Sequence, residues 1–282
     1  MVLIPIEVDN ERKEMYVDKE LYNRLKTTIK PKLKKKDYDW VWIVDGGEGS
    51  GKSVFSMQLA KLVDPSFNLE RVCMTPNEFT KAIIKANKGQ AVVFDEGFTG
   101  LSSRASLTEI NRLMVSLMME MRQKNLFIVV VMPTIFLLDR YVALFRARGL
   151  FHIYTKDGRR GRWIYFNNKS KKLLYIFGKK LFSYSKPRSN FRGRFADQYT
   201  VNEIEYRKKK AETLSKKSRS TRAEAFKRQR DILFYIMDKK LKVNQEQIAN
   251  YCKDLGYNIT QQNISIAITE MNIQLIKEDE KT

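Results

Sequence analysis

Eight consecutive residues, Gly46-Gly47-Glu48-Gly49-Ser50-Gly51-Lys52-Ser53, carry the clearest chemistry in the chain. They fit the phosphate-loop pattern G-x-x-x-x-G-K-[ST]. Val41–Val44 before them read as a short buried strand, and Val54–Leu62 after them as an amphipathic helix. A loop joining a strand to a helix N-terminus aims backbone N–H groups and the positive end of the helix dipole at one point. Glycine permits the positive φ angles and close backbone approach that cradling a phosphate requires. Residues Gly46, Gly47, Glu48, Gly49, Ser50, Gly51, Lys52, Ser53 and Val54 are therefore expected to bind a nucleotide. Lys52 would reach the β- and γ-phosphates and the Ser53 hydroxyl would coordinate Mg²⁺, so ATP and Mg are the expected cofactors.

A second stretch, Ala91-Val92-Val93-Phe94-Asp95-Glu96, places two acids at the end of an apolar strand. Asp95 is expected to hold Mg²⁺, directly or through water. Glu96 is positioned to polarise the attacking water as general base. Such a pair separates hydrolysis from phosphoryl transfer by a small-molecule kinase, which activates no water. Thr134, at the end of a further strand, faces the same side of a parallel sheet. It suits sensing of the γ-phosphate or holding of the attacking water and, compatibly with either, the N-cap of a helix over 135–145. A cation opposite the transferring phosphoryl group completes such a site, often from a neighbouring subunit. Arg104, Arg122, Arg146 and Arg148 are the candidates, and the sequence does not distinguish them from solvated arginines.

The elements that must position these residues follow from the hydrophobic pattern. Short continuous apolar runs at 41–44, 91–94, 126–132 and 150–154 have the character of parallel strands buried on both faces. Helical stretches at 53–63, 76–87 and 106–124 separate them, and the alternation predicts an α/β fold with a mainly parallel sheet. Thr75-Pro76-Asn77-Glu78 carries the signals of a helix start. Residues 163–166 suggest an added edge strand, and 173–177 with 180–184 a hairpin around Gly178-Lys179. Upstream, Ile4, Ile6 and Val8 alternate like a strand. Leu21, Leu25 and Ile29 share one face of a helix that Pro31 is expected to end.

The expected organisation has four parts. Residues 1–36 pack on the core, 37–166 form the phosphate-loop domain, 167–217 form a basic hairpin and linker, and 218–282 form a helix-turn-helix or winged-helix-like domain. In the last, Asn244 and Gln247 suit a capping box, and a helix over 260–272 would serve for recognition.

The 282 residues are 43% hydrophobic, enough for a sizeable core, and their formal net charge is +21. The excess is local. Between Lys169 and Arg230, twenty Lys/Arg face five Asp/Glu, a net of +15, which points to a polyanionic partner. DNA is the expected one. Arg188, Arg192 and Arg194 lie among Phe191, Phe195 and Tyr199, a mixture that suits phosphate contacts with base stacking, and Gln261, Gln262 and Asn263 suit base edges. Two distant cysteines and one histidine, His152, leave little scope for zinc or Ser-His chemistry. The few cysteines and the lack of a signal-peptide pattern suggest a cytoplasmic location, the host cytoplasm for a viral protein. The longest apolar run, Leu126–Leu138, is too short for a membrane span and is broken by Pro133.

Together Gly46–Ser53, Asp95-Glu96, the polar loop Leu101–Arg104 and the segment Arg122–Arg148 resemble the additional-strand P-loop ATPases. Within these the chain is most similar to the FtsK–HerA-like branch, which includes Zot-type ATPases and viral DNA-packaging ATPases. The resemblance covers residues 38–165. It implies a RecA-like core, Mg-dependent ATP hydrolysis, a ring-shaped homo-oligomer and force applied to DNA. Lys52 and Ser53 match the family's phosphate and metal positions, and Asp95 and Glu96 its acidic pair. Zot-type proteins usually carry a membrane span, which is not visible here, and a C-terminal helix-turn-helix is not a fixed part of the family. The expected function is a motor that packages or translocates viral or mobile-element DNA. The alternative is an ATP-switched DNA-binding adaptor for replication or transposition.

Overall fold

Uninterrupted runs of Val, Ile and Phe become strands with no exposed face. The computed structural model describes residues 2–9, 11–35, 38–95, 115–116, 124–238, 244–255, 264 and 268, with the backbone alone at 34–35, 216–230, 234 and 237–238. A seven-stranded sheet runs in the order β4-β5-β6-β3-β7-β8-β9. Its strands are β3 (Trp40–Gly46), β4 (Val72–Cys73), β5 (Ala91–Asp95), β6 (Phe127–Met132), β7 (Ala147–Lys156), β8 (Arg159–Asn167) and β9 (Phe191–Arg194). The first five in that order, β4 to β7, are parallel neighbours, and β8 and β9 add on antiparallel. All residues of β3, β5 and β6 are buried. The protein is thus α/β with a mostly parallel sheet, as its sequence predicts.

The pleat of β3 divides the core. Trp42 and Val44 face one layer with Phe55 and Leu59, while Val41 and Ile43 face the other with Phe79 and Phe94. Each such fully buried aliphatic contributes about 1.5–3 kcal/mol. Helix α3 (Lys52–Val63) covers the first face and α4 (Pro76–Lys85) the second. Thr75 caps α4 by accepting from the Glu78 N–H, and Pro76 takes the first helical position, where its missing donor costs nothing.

The N-terminal part holds a two-stranded antiparallel ribbon, β1 (Val2–Val8) and β2 (Glu11–Val17), then α1 (Lys19–Arg24), a π-helical turn (Leu25–Ile29) and α2 (Lys30–Lys35). Leu21, Leu25 and Ile29 are buried together. The helical path passes through Pro31 instead of ending there, because the turn just before it has already left the α-helical bonding pattern in which proline conflicts.

Three further expectations are corrected. Residues 173–184 form no hairpin: helix α5 (Asn168–Leu173) runs into a π-helical turn (Leu174–Gly178). Asn167 caps it by accepting from Ser170, and the adjacent Leu174 and Tyr175 both point inward, which a strand does not allow. The strand at 163–166 is interior, not an edge, because β9 pairs along it. The helix over 135–145 is a short 3₁₀ turn (Ile135–Leu137) and a π-helical turn (Val142–Arg146).

The chain divides into two compact units, Met1–Leu214 and Ser215–Thr282. Helix α6 (Glu203–Asp238) begins in the first and ends in the second. In the second unit α7 (Gln245–Asp254) carries a reciprocal capping box between Asn244 and Gln247. Ile232, Ile236, Ile248, Cys252, Ile264 and Ile268 form its core. The helix-turn-helix expected there rests on residues 256–263, which lie outside the described residues, as do Gln261, Gln262 and Asn263. Glu96, Arg104, Arg122 and most of the helix expected over 106–124 lie outside them too.

Candidate nucleotide site

The phosphate-loop residues converge exactly where β3 hands the chain to α3. Gly46, Gly49 and Gly51 hold φ values of +144°, +67° and +95°. At Gly46 a side chain is excluded outright, since a Cβ would lie 2.1 Å from the Ile153 carbonyl oxygen. Gly51 is the N-cap of α3 and meets the Phe195 ring, with a virtual Cβ at 3.1 Å. The Ser50 hydroxyl donates to the Gly47 carbonyl oxygen at 2.8 Å and closes the loop on itself. Lys52 arches back across it, its Nζ donating to the carbonyls of Gly46 at 2.9 Å and Gly47 at 2.6 Å. Burial lowers the Lys52 pKa, and the carboxylates of Asp45 and Asp95 oppose that shift.

β6 lies between the strand that feeds the loop and the strand that ends in Asp95. Asp95 nevertheless reaches the loop: the Ser53 hydroxyl donates to its Oδ1 at 3.0 Å. These two oxygens, one hydroxyl and one nearly buried carboxylate, form a hard donor pair of the kind that suits Mg²⁺ shared with phosphate oxygens. They open onto a cavity of about 620 Å³ lined by Glu48–Val54, Asp95, Met132, Pro133, Arg160 and the first turns of α6.

Helix α6 supplies groups that sequence reasoning overlooked. The Tyr206 hydroxyl donates to Asp95 Oδ2 at 2.5 Å, and burial beside that carboxylate raises its pKa so that it stays protonated. One turn on, Lys210 Nζ lies 3.6 Å from Asp95 Oδ2, 3.5 Å from Ser53 Oγ and 3.2 Å from the Tyr206 hydroxyl. Its ammonium thus faces the Ser53 hydroxyl and the outer oxygen of the Asp95 carboxylate. In the sequence, the run Arg207–Lys210 reads only as basic helix surface. The i, i+4 spacing of Tyr206 and Lys210 was the available signal.

No family model matches this sequence, and no curated protein matches it.

Behind the loop, Asp45 is fully buried and has three partners. Its Oδ1 pairs with His152 Nδ1 at 2.9 Å, and its Oδ2 accepts from the Ile135 N–H at 2.7 Å and from the Tyr184 hydroxyl. His152 stacks on Tyr184 with ring centroids 3.8 Å apart. Thr134 belongs to this network. Its Oγ1 caps the 3₁₀ turn and lies 2.8 Å from the Tyr184 hydroxyl. Met132 and Pro133 line the cavity, whereas Thr134 does not. The expected capping role is therefore observed, on a 3₁₀ turn. The sequence signal for Asp45 is an acid between an apolar run and the glycines.

Arg146 and Arg148 stand elsewhere. Ala147 pairs with Val41, five residues before Gly46 on β3, which puts them about 16 Å along the strand from the loop. Arg146 forms an ion pair with the buried Asp39, and Arg148 lies over the rings of Tyr38 and Trp40 at 5.1 and 5.3 Å. Neither arginine joins Lys52 within this chain. The aromatics expected to stack on bases are engaged in packing. Phe195 is buried against Phe55 at 4.9 Å, Phe191 packs on Tyr165 at 4.6 Å, and Tyr199 packs on Tyr206 at 5.6 Å. Arg188, Arg192 and Arg194 are exposed. Arg192 and Arg194 share one face of β9, and Arg194 sits opposite Arg162 on β8.

No helix among the described residues is long and apolar enough to cross a membrane.

Proposed function

We propose that this protein is a Mg-dependent ATPase of the additional-strand P-loop class, most similar to its FtsK–HerA-like branch, and that it works on DNA. The observation that carries the reading is the Ser53–Asp95 contact at 3.0 Å beside a Gly46–Ser53 loop folded for phosphate. The insertion of β6 between the two strands that carry them supports it. In this reading the loop N–H groups and Lys52 bind the β- and γ-phosphates, and Ser53 and Asp95 hold the metal. Mg²⁺, when bound, neutralises charge on the phosphate oxygens. Glu96, next along from Asp95, takes a proton from the attacking water. Tyr206 fixes the Asp95 carboxylate by donating to it, which keeps its other oxygen aimed at Ser53.

Half-buried Arg162 of β8 and exposed Arg194 of β9 place like charges opposite one another, an arrangement that is unfavourable alone and that a phosphate backbone relieves. This supports DNA as the partner, with packaging or translocation of viral or mobile-element DNA by a ring of subunits as the task. A second reading, an ATP-switched DNA-binding adaptor, is favoured by one observation. Tyr206 and Lys210 bring α6 into contact with the Asp95 carboxylate and the Ser53 hydroxyl, so occupancy there would be felt by a helix outside the sheet.

The test is ATP hydrolysis by the purified chain with Mg²⁺, with and without duplex DNA. The expected result is hydrolysis stimulated by DNA and lost in Lys52→Ala and Glu96→Gln. Hydrolysis that survives Lys52→Ala, or DNA binding insensitive to salt, overturns the proposal. A translocation assay then separates motor from switch.

A further inference from the structure

The surface of residues 168–182 contributes nothing to the cavity lining and is unlike the rest of the described residues of the first unit. Leu173, Ile176, Phe177, Leu181 and Phe182 are 38%, 55%, 67%, 78% and 61% exposed, five large apolar side chains within ten residues. A sixth, Phe145 at 67% exposure, adjoins them through Lys172, whose Nζ lies 5.2 Å from its ring. The geometry that turns them outward is firmly held. Leu174 and Tyr175 are buried on the opposite side of the same turn, and the Tyr175 hydroxyl donates to the Leu138 carbonyl at 2.8 Å. Leu181 and Ser183 both return N–H groups to the Gly178 carbonyl. The apolar face is therefore a product of the fold, set on an anchored element.

Its charge is as distinctive as its hydrophobicity. Lys169, Lys179 and Lys180 are exposed within the same segment, and Lys186 and Arg188 are exposed just beyond it in the sequence. From residue 158 to 196 the sequence carries twelve Lys/Arg and no Asp or Glu. A cover for this face must be apolar at its centre and anionic at its rim. A second copy of the same face would bring lysines against lysines. Nucleic acid would meet the cations but leave aliphatic Leu173, Ile176 and Leu181 without an apolar partner. A bilayer with anionic headgroups offers both halves: acyl chains for the apolar side chains and phosphates for the ammonium groups.

We infer that residues 168–182, with Phe145, form a docking surface for an anionic membrane, on which the protein lies without spanning it. This goes beyond the nucleotide-site reading and stands without it.

The experiment is co-sedimentation of the full chain with vesicles of phosphatidylcholine alone, or with about one third phosphatidylglycerol. The variants are I176S/F177S/L181S/F182S and K179E/K180E. Thermal unfolding of each variant checks the fold, and removal of exposed apolar side chains is expected to leave it intact. The inference predicts binding to the anionic vesicles, at least about tenfold weaker partitioning to the neutral ones, and a loss of about tenfold or more in each variant. Absence of binding to anionic vesicles overturns it. So does retention of binding in the folded serine variant. If the serine substitutions abolish DNA binding or self-association while vesicle binding persists, the face belongs to nucleic acid or to a second copy, and the inference fails.

Discussion

The two ends of the parallel sheet both bury charge, yet they use it differently. At the carboxyl ends, Asp95 is buried yet opens onto the cavity through Ser53 and Lys210, while Asp45 lies behind the loop, held by His152, Ile135 and Tyr184. At the amino ends, Asp39 is consumed by Arg146, while Lys171 donates to the carbonyls of Ala143 and Ala147 and is fully buried. Asp95 meets partners that line open space, whereas Asp45, Asp39 and Lys171 each have protein partners away from the cavity. Buried charge alone therefore does not mark a site. What marks it is charge whose partners also face open space.

The sharpest way to break that comparison is to remove a charge at each end. Asp95→Asn and Lys52→Ala should each lower ATP hydrolysis by about 10²-fold or more while the fold survives, as steady-state rates and thermal unfolding would report. Asp39→Ala should do the reverse. It strands the Arg146 guanidinium at 13% side-chain exposure and should cost about 3–5 kcal/mol of stability, with nucleotide affinity in the folded fraction unchanged. Loss of nucleotide affinity in folded Asp39→Ala would mean that the two ends are not separable.

Lys210→Ala probes a subtler difference. A cation 3.6 Å from Asp95 and 3.5 Å from Ser53 competes with a divalent ion for the charge of the same two side chains. Its removal should lower the Mg²⁺ concentration needed for half-maximal nucleotide binding by about threefold to tenfold, read by titration at fixed ATP. A higher requirement would instead make Lys210 a phosphate ligand.

The smallest effect concerns pH. Burial lowers the Lys171 pKa from 10.5 to about 7. The unfolded chain then binds more protons than the folded one between pH 7 and about 10, so this residue makes stability rise with pH across that window. Below about pH 7 both states are protonated and the dependence flattens. Lys171→Met should reduce the slope of unfolding free energy against pH between 7 and 10, measured by urea titration.

The legibility of the molecule follows the same division. The strands β3, β5 and β6 and the loop after β3 were readable because burial on both faces leaves unbroken apolar runs and phosphate binding demands glycines at fixed spacing. β2 was not, since its sequence Glu-Arg-Lys-Glu-Met-Tyr-Val exposes its first four residues and buries only Met15 and Val17. Helix α5 and its π-helical turn resembled a hairpin because two apolar runs flank a Gly-Lys pair, and the helical period is hidden where both faces carry apolar groups. Within the site, contributions that come from the loop's own neighbourhood were visible. Tyr206 and Lys210, more than 100 residues downstream of Asp95, were not, because no local pattern records which helix a fold will lay across a cavity.

The segment leading into α6 is fastened to α3. The Gln58 side-chain amide donates to the carbonyls of Ala196 at 2.7 Å and Gln198 at 2.8 Å, and Asn202 caps the helix by accepting from the Glu205 N–H. Between that clasp and Lys210 the chain behaves as a calibrated spacer. One residue inserted between Asn202 and Tyr206 would rotate everything beyond it by about 100° and advance it about 1.5 Å relative to the cap. Tyr206 and Lys210 would then face solvent and other residues would face Asp95. Length here should therefore be under tighter constraint than residue identity: point changes on the outer face of α6 are tolerable, whereas single insertions or deletions in these few residues are not.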